Sequence, residues 1–241
     1  MIREKSFQNI YVKLLKELKE QEIVGVRGFK TKELINTQFE LKNPFDCTLD
    51  NSKDYKYWKY IVKEIMVFLS GTLDASEFIK ISSFWNKCKD DFGKINSNYG
   101  YFVFHKQTPQ KISQFEWVSN NLKNDMFSRQ AIINFNSIEH KYKNNNDLVC
   151  TIFLQFIIRN TGKGRGTSPS RPALDVYGFM RSNDLIFGLR YDIVFFCFIQ
   201  IMMWISLKNK YKELQLGSYY HYATSLHIYS HHFNLLHRKP Q

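Results

Sequence analysis

The sequence predicts a fold that combines helices with strands, and three stretches carry that prediction. Residues Asp147 to Arg159 read DLVCTIFLQFIIR, a continuous apolar run rich in Ile and Phe and opened by Asn and Asp, the pattern of a strand buried on both faces. Phe7, Ile10, Tyr11, Leu14, Leu15 and Leu18 recur at helical spacing with Lys13, Lys16, Glu17 and Lys19 between them, which describes an amphipathic helix. Ile193 to Leu207 is strongly apolar but only fifteen residues long and interrupted by Gln200. That is too short for a bilayer and reads as a buried core helix rather than a membrane span.

Composition limits the rest. A chain of 241 residues with 44% hydrophobic content fits a single domain over residues 1–241 with a full core, without a second domain. The net charge of +12, with 14 Tyr and 21 Phe, would suit a nucleic-acid binder. The cations are scattered, however, and no block of five or six occurs, so they describe a solvated basic surface rather than a nucleic-acid interface. Cys47, Cys88, Cys150 and Cys197 form no CxxC pair and no metal spacing with His. Without a leader segment they read as reduced thiols of a cytoplasmic protein (host cytoplasm, if viral) that holds no metal.

In chain order, Gly25 to Thr31 reads GVRGFKT, a glycine-containing loop with two cations that serves either as a hairpin connection or as a phosphate cradle. An alternating stretch follows from Leu34 to Leu41. Over Tyr55 to Leu69, residues Trp58, Ile61, Val62, Ile65, Met66 and Leu69 form a helical stripe, and Glu64 sits among bulk that can strip water from a carboxylate. On its own such a Glu faces solvent. Phe84-Trp85 is followed, fourteen residues after Trp85, by Tyr99 in the phrase INSNYG, Ile95 to Gly100. Ser128-Arg129-Gln130 precedes a short strand, Ala131 to Phe135. Asn160 to Pro172, NTGKGRGTSPSRP, lacks the order of a nucleotide-binding P-loop and reads as a mobile hairpin loop. His227 and Tyr229 lie two apart in an apparent strand and share one face, where both can present polar groups together.

Three motifs stand in order from Cys150 to Tyr229: C-x4-Q-F with Cys150 and Gln155; R-S-x-D-x3-G-L-x2-D with Arg181, Ser182, Asn183, Asp184, Gly188 and Asp192; and H-x-Y with His227 and Tyr229. Together they resemble the thymidylate synthase superfamily, and INSNYG is similar to its phage-type deoxycytidylate hydroxymethylase branch. The resemblance runs from about Gly25 to Leu236 and implies an α/β (α+β) fold, a large mixed sheet with packed helices, dimerising through the sheet face. It implies Cys150 as nucleophile, Glu64 as general acid/base and Asp192 as the residue that chooses the base. Substrate contacts fall to Arg27 (Lys30 in reserve), Arg129, Gln155, Arg181, Ser182, Asn183, Asp184, His227 and Tyr229. Trp85, Tyr99 and Asp184 face the co-substrate, 5,10-methylenetetrahydrofolate. In the family a pair of arginines near Arg129 crosses a homodimer interface to the neighbouring phosphate; here Gln130 replaces the second. The run after Phe233, Asn234 to Gln241, is shorter than the tail that closes over the cofactor in relatives.

The chemistry follows from the pyrimidine. Carbon 5 is a poor nucleophile until something adds to carbon 6, and a thiolate both adds and leaves well. A guanidinium such as Arg181 can favour that thiolate while holding phosphate. Uracil presents N3–H beside an O4 acceptor, which an amide matches; cytosine presents an N3 acceptor beside an amino donor, which a carboxylate sharing a proton matches. Asp192 therefore selects cytosine, although an Asp before an apolar helix also serves as an N-cap. The implied activity is transfer of a one-carbon unit to C5 of dCMP, completed by water. The alternatives are a dCMP or dUMP methylase using folate hydride, and a catalytically silent nucleotide- or nucleic-acid-binding homologue.

Overall fold

The structure, a computed structural model, describes residues 1–50, 55–160 and 171–237. In chain order the elements are β1 (Ile2–Glu4), α1 (Phe7–Lys19), β2 (Val24–Val26), β3 (Phe29–Leu41), α2 (Tyr55–Ser70), α3 (Ala75–Ile79), α4 (Gln114–Asn124), β4 (Ile132–Asn134), β5 (Thr151–Asn160), β6 (Pro172–Met180), β7 (Asn183–Asp184), α5 (Arg190–Lys208) and β8 (Gln215–Tyr229). The strands form a large mixed sheet of order β1-β3-β8-β6-β5-β4, with β2 paired to β3 and β7 to β8. This is the α/β class that the sequence predicts. The chain divides into two compact units, residues 1–51 with 158–241 and residues 52–157.

In the first unit, α1 begins where Ser6 accepts from the backbone of Asn9, and it buries Phe7, Ile10, Tyr11, Leu14 and Leu18, the predicted face. The core helix α5 buries Ile193, Phe196, Ile199, Met203 and Leu207 completely, each apolar side chain contributing about 1.5–3 kcal/mol. Gln200, also fully buried, donates to the backbone carbonyls of Leu174 (3.0 Å) and Ser218 (3.2 Å), so its amide ties the helix to β6 and to the residues of β8. The span Leu185–Lys208 is long and apolar enough to cross a membrane, yet 56% of its apolar window lies inside the protein. A core helix needs no lipid to account for it.

The antiparallel β3–β8 ladder is the frame of this unit. It runs without a register shift from Thr31↔Tyr229 through Glu33↔His227 and Ile35↔Ser225 to Leu41↔Tyr219. The sequence reading places the strand start at Leu34; the strand begins at Phe29, because β2 pairs back onto its first residues (Val26↔Phe29, Val24↔Thr31). The loop from Gly25 is thus a two-residue hairpin turn, Arg27-Gly28, with φ of 49° and 81°.

In the second unit, α2 differs from its predicted stripe. Its buried residues are Tyr57, Ile61, Glu64 and Phe68, while Trp58, Val62 and Met66 are exposed. Both faces of this helix carry apolar side chains, so periodicity does not choose the inward one. After α2, Gly71 (φ 69°) reverses the chain and the INSNYG segment returns to the helix end. Asn98, fully buried, donates to Thr72 O at 2.6 Å and accepts from the Tyr101 amide at 3.0 Å. At Gly100 an added Cβ would lie 1.9 Å from the Phe68 carbonyl oxygen, so no larger residue fits.

Strand β5 is also a correction. Asp147 to Cys150 precede it, and from Leu154 to Ile158 buried and part-exposed residues alternate. The run is buried on one face, with Ile and Phe covering the other as well. The predicted hairpin loop of Asn160 to Pro172 lies, over 161–170, outside the described residues, as do the last residues of the tail, 238–241.

Candidate active site

The candidate side chains fall in both units. In the first, the Arg27-Gly28 turn and the ends of β3 and β8 surround a cavity of about 280 Å³ lined by Arg27, Glu33, Arg181, Ser182, Ser225, His227 and Tyr229 among others. Five of these are predicted substrate contacts. Arg27 holds a left-handed backbone that costs an L-residue about 1 kcal/mol, where Asn or Gly would cost less. His227 and Tyr229 share a face of β8, flanked by fully buried Leu226 and Ile228, with ring centroids 5.1 Å apart. Strand β7 pairs Asp184 with His227 in parallel, and Asp184 Oδ2 lies 4.0 Å from His227 Nε2. Asp184 also caps the turn that leads into α5, its Oδ1 accepting from the amides of Ile186 (2.6 Å) and Phe187 (2.7 Å). Its Oδ2 is buried with no hydrogen-bond partner among the described residues.

Asp192 lies in the first turn of α5 and is not its N-cap, which is Leu189. Its Oδ2 accepts from Asn183 Nδ2 at 2.9 Å. Burial pushes the Asp192 carboxyl up to about 6; the Asn183 hydrogen bond opposes this and the nearby Asp184 charge adds to it. Gly188 closes over the pair: an added Cβ would stand 3.1 Å from Asp192 Oδ2 and 3.5 Å from Asn183 Oδ1. Asn183 itself is buried, and its Oδ1 has no partner among the described residues. An acid with a raised pKa, oriented by one amide, can carry a proton near neutrality, which an ordinary surface carboxylate cannot.

In the second unit, Cys150 stands one residue before β5 and is part-exposed, its Sγ 3.9 Å from Leu148 O. The lead into it is held by Asp147, which accepts from the Ser97 amide of INSNYG at 2.6 Å, and by Asn136, which donates to Val149 O at 3.4 Å. Burial, with Asp147 and Cys150 nearby, pushes the Cys88 thiol up to about 12, so Cys88 stays protonated and does not compete as a nucleophile. Glu64 is buried on α2 and accepts from the Tyr60 hydroxyl at 2.7 Å. Gln155 donates to Arg129 O at 2.8 Å, while the Arg129 side chain is exposed. Trp85 is buried against Phe78 (ring centroids 5.0 Å apart), and its indole Nε1 has no partner among the described residues. Tyr99 is buried between Phe68 (5.6 Å) and Phe135 (5.3 Å).

Sequence reasoning misses Glu33, and with it the pairing of Glu33 with Ser225. The carboxylate accepts from the Ser225 hydroxyl at 2.7 Å and faces His227 across the ladder. The signal was the register of β3, which becomes visible once the strand is extended back to Phe29.

The fold and these residues define a nucleotide-modifying domain of one family. The thymidylate synthase family matches residues 5–241, and the chain belongs to it. Among characterised relatives, the deoxycytidylate 5-hydroxymethyltransferase of Enterobacteria phage T4 is 26% identical over 227 residues, covering 91% of this chain and 84% of that protein. The enzyme of the same name from Enterobacteria phage T2 matches to the same extent. A deoxyuridylate hydroxymethyltransferase of Bacillus phage SP01 is 26% identical over 228 residues, covering 88% of this chain and 54% of that protein.

Proposed function

We propose that the chain, as one catalytic domain, is a deoxycytidylate 5-hydroxymethyltransferase that joins a one-carbon unit and water to C5 of dCMP, giving 5-hydroxymethyl-dCMP. The observation that carries this reading is Asp192: a carboxyl where uracil recognition calls for an amide, oriented by Asn183 and titrating near 6. A protonated Asp192 donates to cytosine N3 and accepts from the amino group; uracil would set its N3–H and O4 against the same pair in the wrong sense. The T4 and T2 relatives bear the deoxycytidylate name, and the SP01 relative shows that the neighbouring substrate occurs at equal identity.

Arg27, Arg181 and Ser182 hold the phosphate, and His227 and Tyr229 the sugar hydroxyl. Arg129 acts on the phosphate of a partner subunit in a homodimer, for which the part-exposed ring pairs Tyr177–Tyr220 (4.6 Å) and Phe179–Tyr222 (5.3 Å) offer a sheet face. Asn183 orients Asp192, and Gln155 completes the nucleotide contacts. The Cys150 thiolate adds to C6, the C5–C6 double bond moves its electrons to C5, and C5 forms the new carbon–carbon bond to the one-carbon unit, whose bond to the donor nitrogen would break so that tetrahydrofolate leaves. The C5 proton departs, water adds to the exocyclic carbon, and expulsion of the Cys150 sulfur restores the ring. Glu64, steadied by the Tyr60 hydroxyl, moves the proton of the attacking water. Methylenetetrahydrofolate supplies the one-carbon unit at the oxidation level of formaldehyde when bound. Trp85, Tyr99 and Asp184 would hold it, and the orphaned buried indole N–H of Trp85 and the Oδ2 of Asp184 are suited to such a ligand. The site of action is the host cytoplasm.

The test is release of tritium from [5-³H]dCMP, dUMP and CMP with methylenetetrahydrofolate, with the product weighed by mass spectrometry. Release from dCMP with a product one oxygen heavier than methyl-dCMP is expected, and Cys150→Ser abolishes it while nucleotide binding persists. A methyl product, or release from dUMP alone, would overturn the assignment.

A further inference from the structure

A carboxylate inside an anion cradle demands an explanation. Glu33 lines the same 280 Å³ cavity as Arg27, Arg181 and Ser182. It is not there by accident of rotamer, because its Oε2 accepts from the Ser225 hydroxyl at 2.7 Å and the ladder fixes it directly across from His227. The two guanidiniums balance the two charges of a phosphate monoester. Among the lining residues no further arginine or lysine awaits a second phosphoryl group, and Glu33 repels one.

We propose that Glu33 is a specificity-determining residue that restricts this cradle to a single phosphoryl group and excludes nucleoside di- and triphosphates. The inference rests on reading the cavity as the phosphate site of the proposed function. A cavity of this volume is about 8 Å across, and a like charge at that distance in a half-screened site weakens binding on the order of tenfold at low salt. The neutral hydroxyl of Ser225 holds the carboxylate without cancelling its charge. A nucleotide pool contains mono-, di- and triphosphates of the same base, so discrimination by base does nothing to separate them and discrimination by charge does.

The experiment compares equilibrium binding of inorganic phosphate with pyrophosphate, then dCMP with dCDP, to the full chain and to Glu33→Gln and Glu33→Asp at low ionic strength. Gln keeps an acceptor for Ser225 and removes the charge; Asp keeps the charge. The expected result is that Glu33→Gln gains about tenfold for pyrophosphate over phosphate and for dCDP over dCMP, while Glu33→Asp retains the wild-type ratios. The phosphate and pyrophosphate arms do not involve the base, so a shifted ratio there upholds the gate even if dCMP proves not to be the substrate. Unchanged ratios in Glu33→Gln overturn it. A loss of dCMP affinity without a change in the phosphate-to-pyrophosphate ratio also overturns it and makes Glu33 a sugar contact instead.

Discussion

Replacing Asp192 by Asn tests the base-recognition argument most directly. In the present structure Asp192 Oδ2 accepts from Asn183 at 2.9 Å, and the carboxyl titrates near 6 because burial disfavours its charge. Cytosine needs the protonated form, so dCMP binding takes up a proton above pH 6 and its affinity should fall by up to tenfold per pH unit there. An amide cannot follow that titration. With Asn at this position the carbonyl turns to Asn183 Nδ2 and the NH₂ faces the base, leaving a donor against the cytosine amino group. One lost hydrogen bond from the protonated carboxyl and one opposed donor pair cost dCMP about 2 kcal/mol, and a matched uracil O4 returns about 1–2 kcal/mol to dUMP. The dCMP-to-dUMP affinity ratio should therefore fall by roughly two to three orders of magnitude. Stability moves as well. A folded pKa raised above the unfolded carboxylate value contributes stability below about pH 4 that is lost as pH rises through about 6, so Asp192→Asn should be more stable than the parent at pH 8, by up to about 3 kcal/mol, and no more stable at pH 4. Titration calorimetry in two buffers of different ionisation enthalpy measures both affinity and proton uptake, and melting at the two pH values measures the linkage. A selectivity change below threefold, with the proton uptake retained by the variant, would refute Asp192 as the selector.

Two further substitutions probe the supports of the site. Gly188→Ala places a Cβ 3.1 Å from Asp192 Oδ2, a few tenths of an ångström too close, so the carboxyl must shift and dCMP-over-dUMP discrimination should drop about tenfold with a melting change of only a few degrees; intact discrimination would separate Gly188 from base recognition. Arg27→Asn relieves a left-handed backbone at φ 49° and should stabilise the hairpin by up to about 1 kcal/mol while weakening inorganic phosphate and dCMP binding at least tenfold. Denaturant unfolding and equilibrium binding read the two effects, and unchanged binding would return Arg27 to an ordinary turn residue.

The helices α1 and α5 were legible because their patterns admit one reading: a single apolar stripe in the first, an apolar surface nearly all round in the second. The H-x-Y face of β8 was legible for the equivalent reason, since a period of two sends Leu226 and Ile228 to one side and His227 and Tyr229 to the other. On α2 the pattern fails, because Trp58, Val62 and Met66 make as good a stripe as Tyr57, Ile61 and Phe68 and only tertiary packing decides between them. Glu64 falls on the buried set, which the stripe through Trp58 would not have indicated. Cys150 and Asp192 stand out in the sequence by their motifs rather than by physics. The fold supplies their surroundings: a part-exposed thiol whose approach is held by Asp147 and Asn136, and an acid oriented by Asn183.

The β3–β8 pair explains why the cavity proposed for phosphate could not be read from either strand in isolation. Arg27 reaches it through the turn that precedes β3, Glu33 through the ladder, and Ser225, His227 and Tyr229 through alternate positions of β8. A slip of one residue in that ladder would send Glu33 and its neighbours to the opposite face and replace them with Lys32 and Leu34. The register is pinned from both directions: the two-residue turn fixes β2 against β3, and β7 fixes Asp184 beside His227. Arg27 stands in a left-handed turn beside the exposed strand β2, and desolvation raises the Asp192 carboxyl; both cost stability that the buried side chains of β3, β8 and α5 offset. A scaffold with that core can keep a guanidinium in an unfavourable turn, a raised acid in the first turn of α5 and a carboxylate beside two guanidiniums, three arrangements that the proposed specificity would use and that folding opposes.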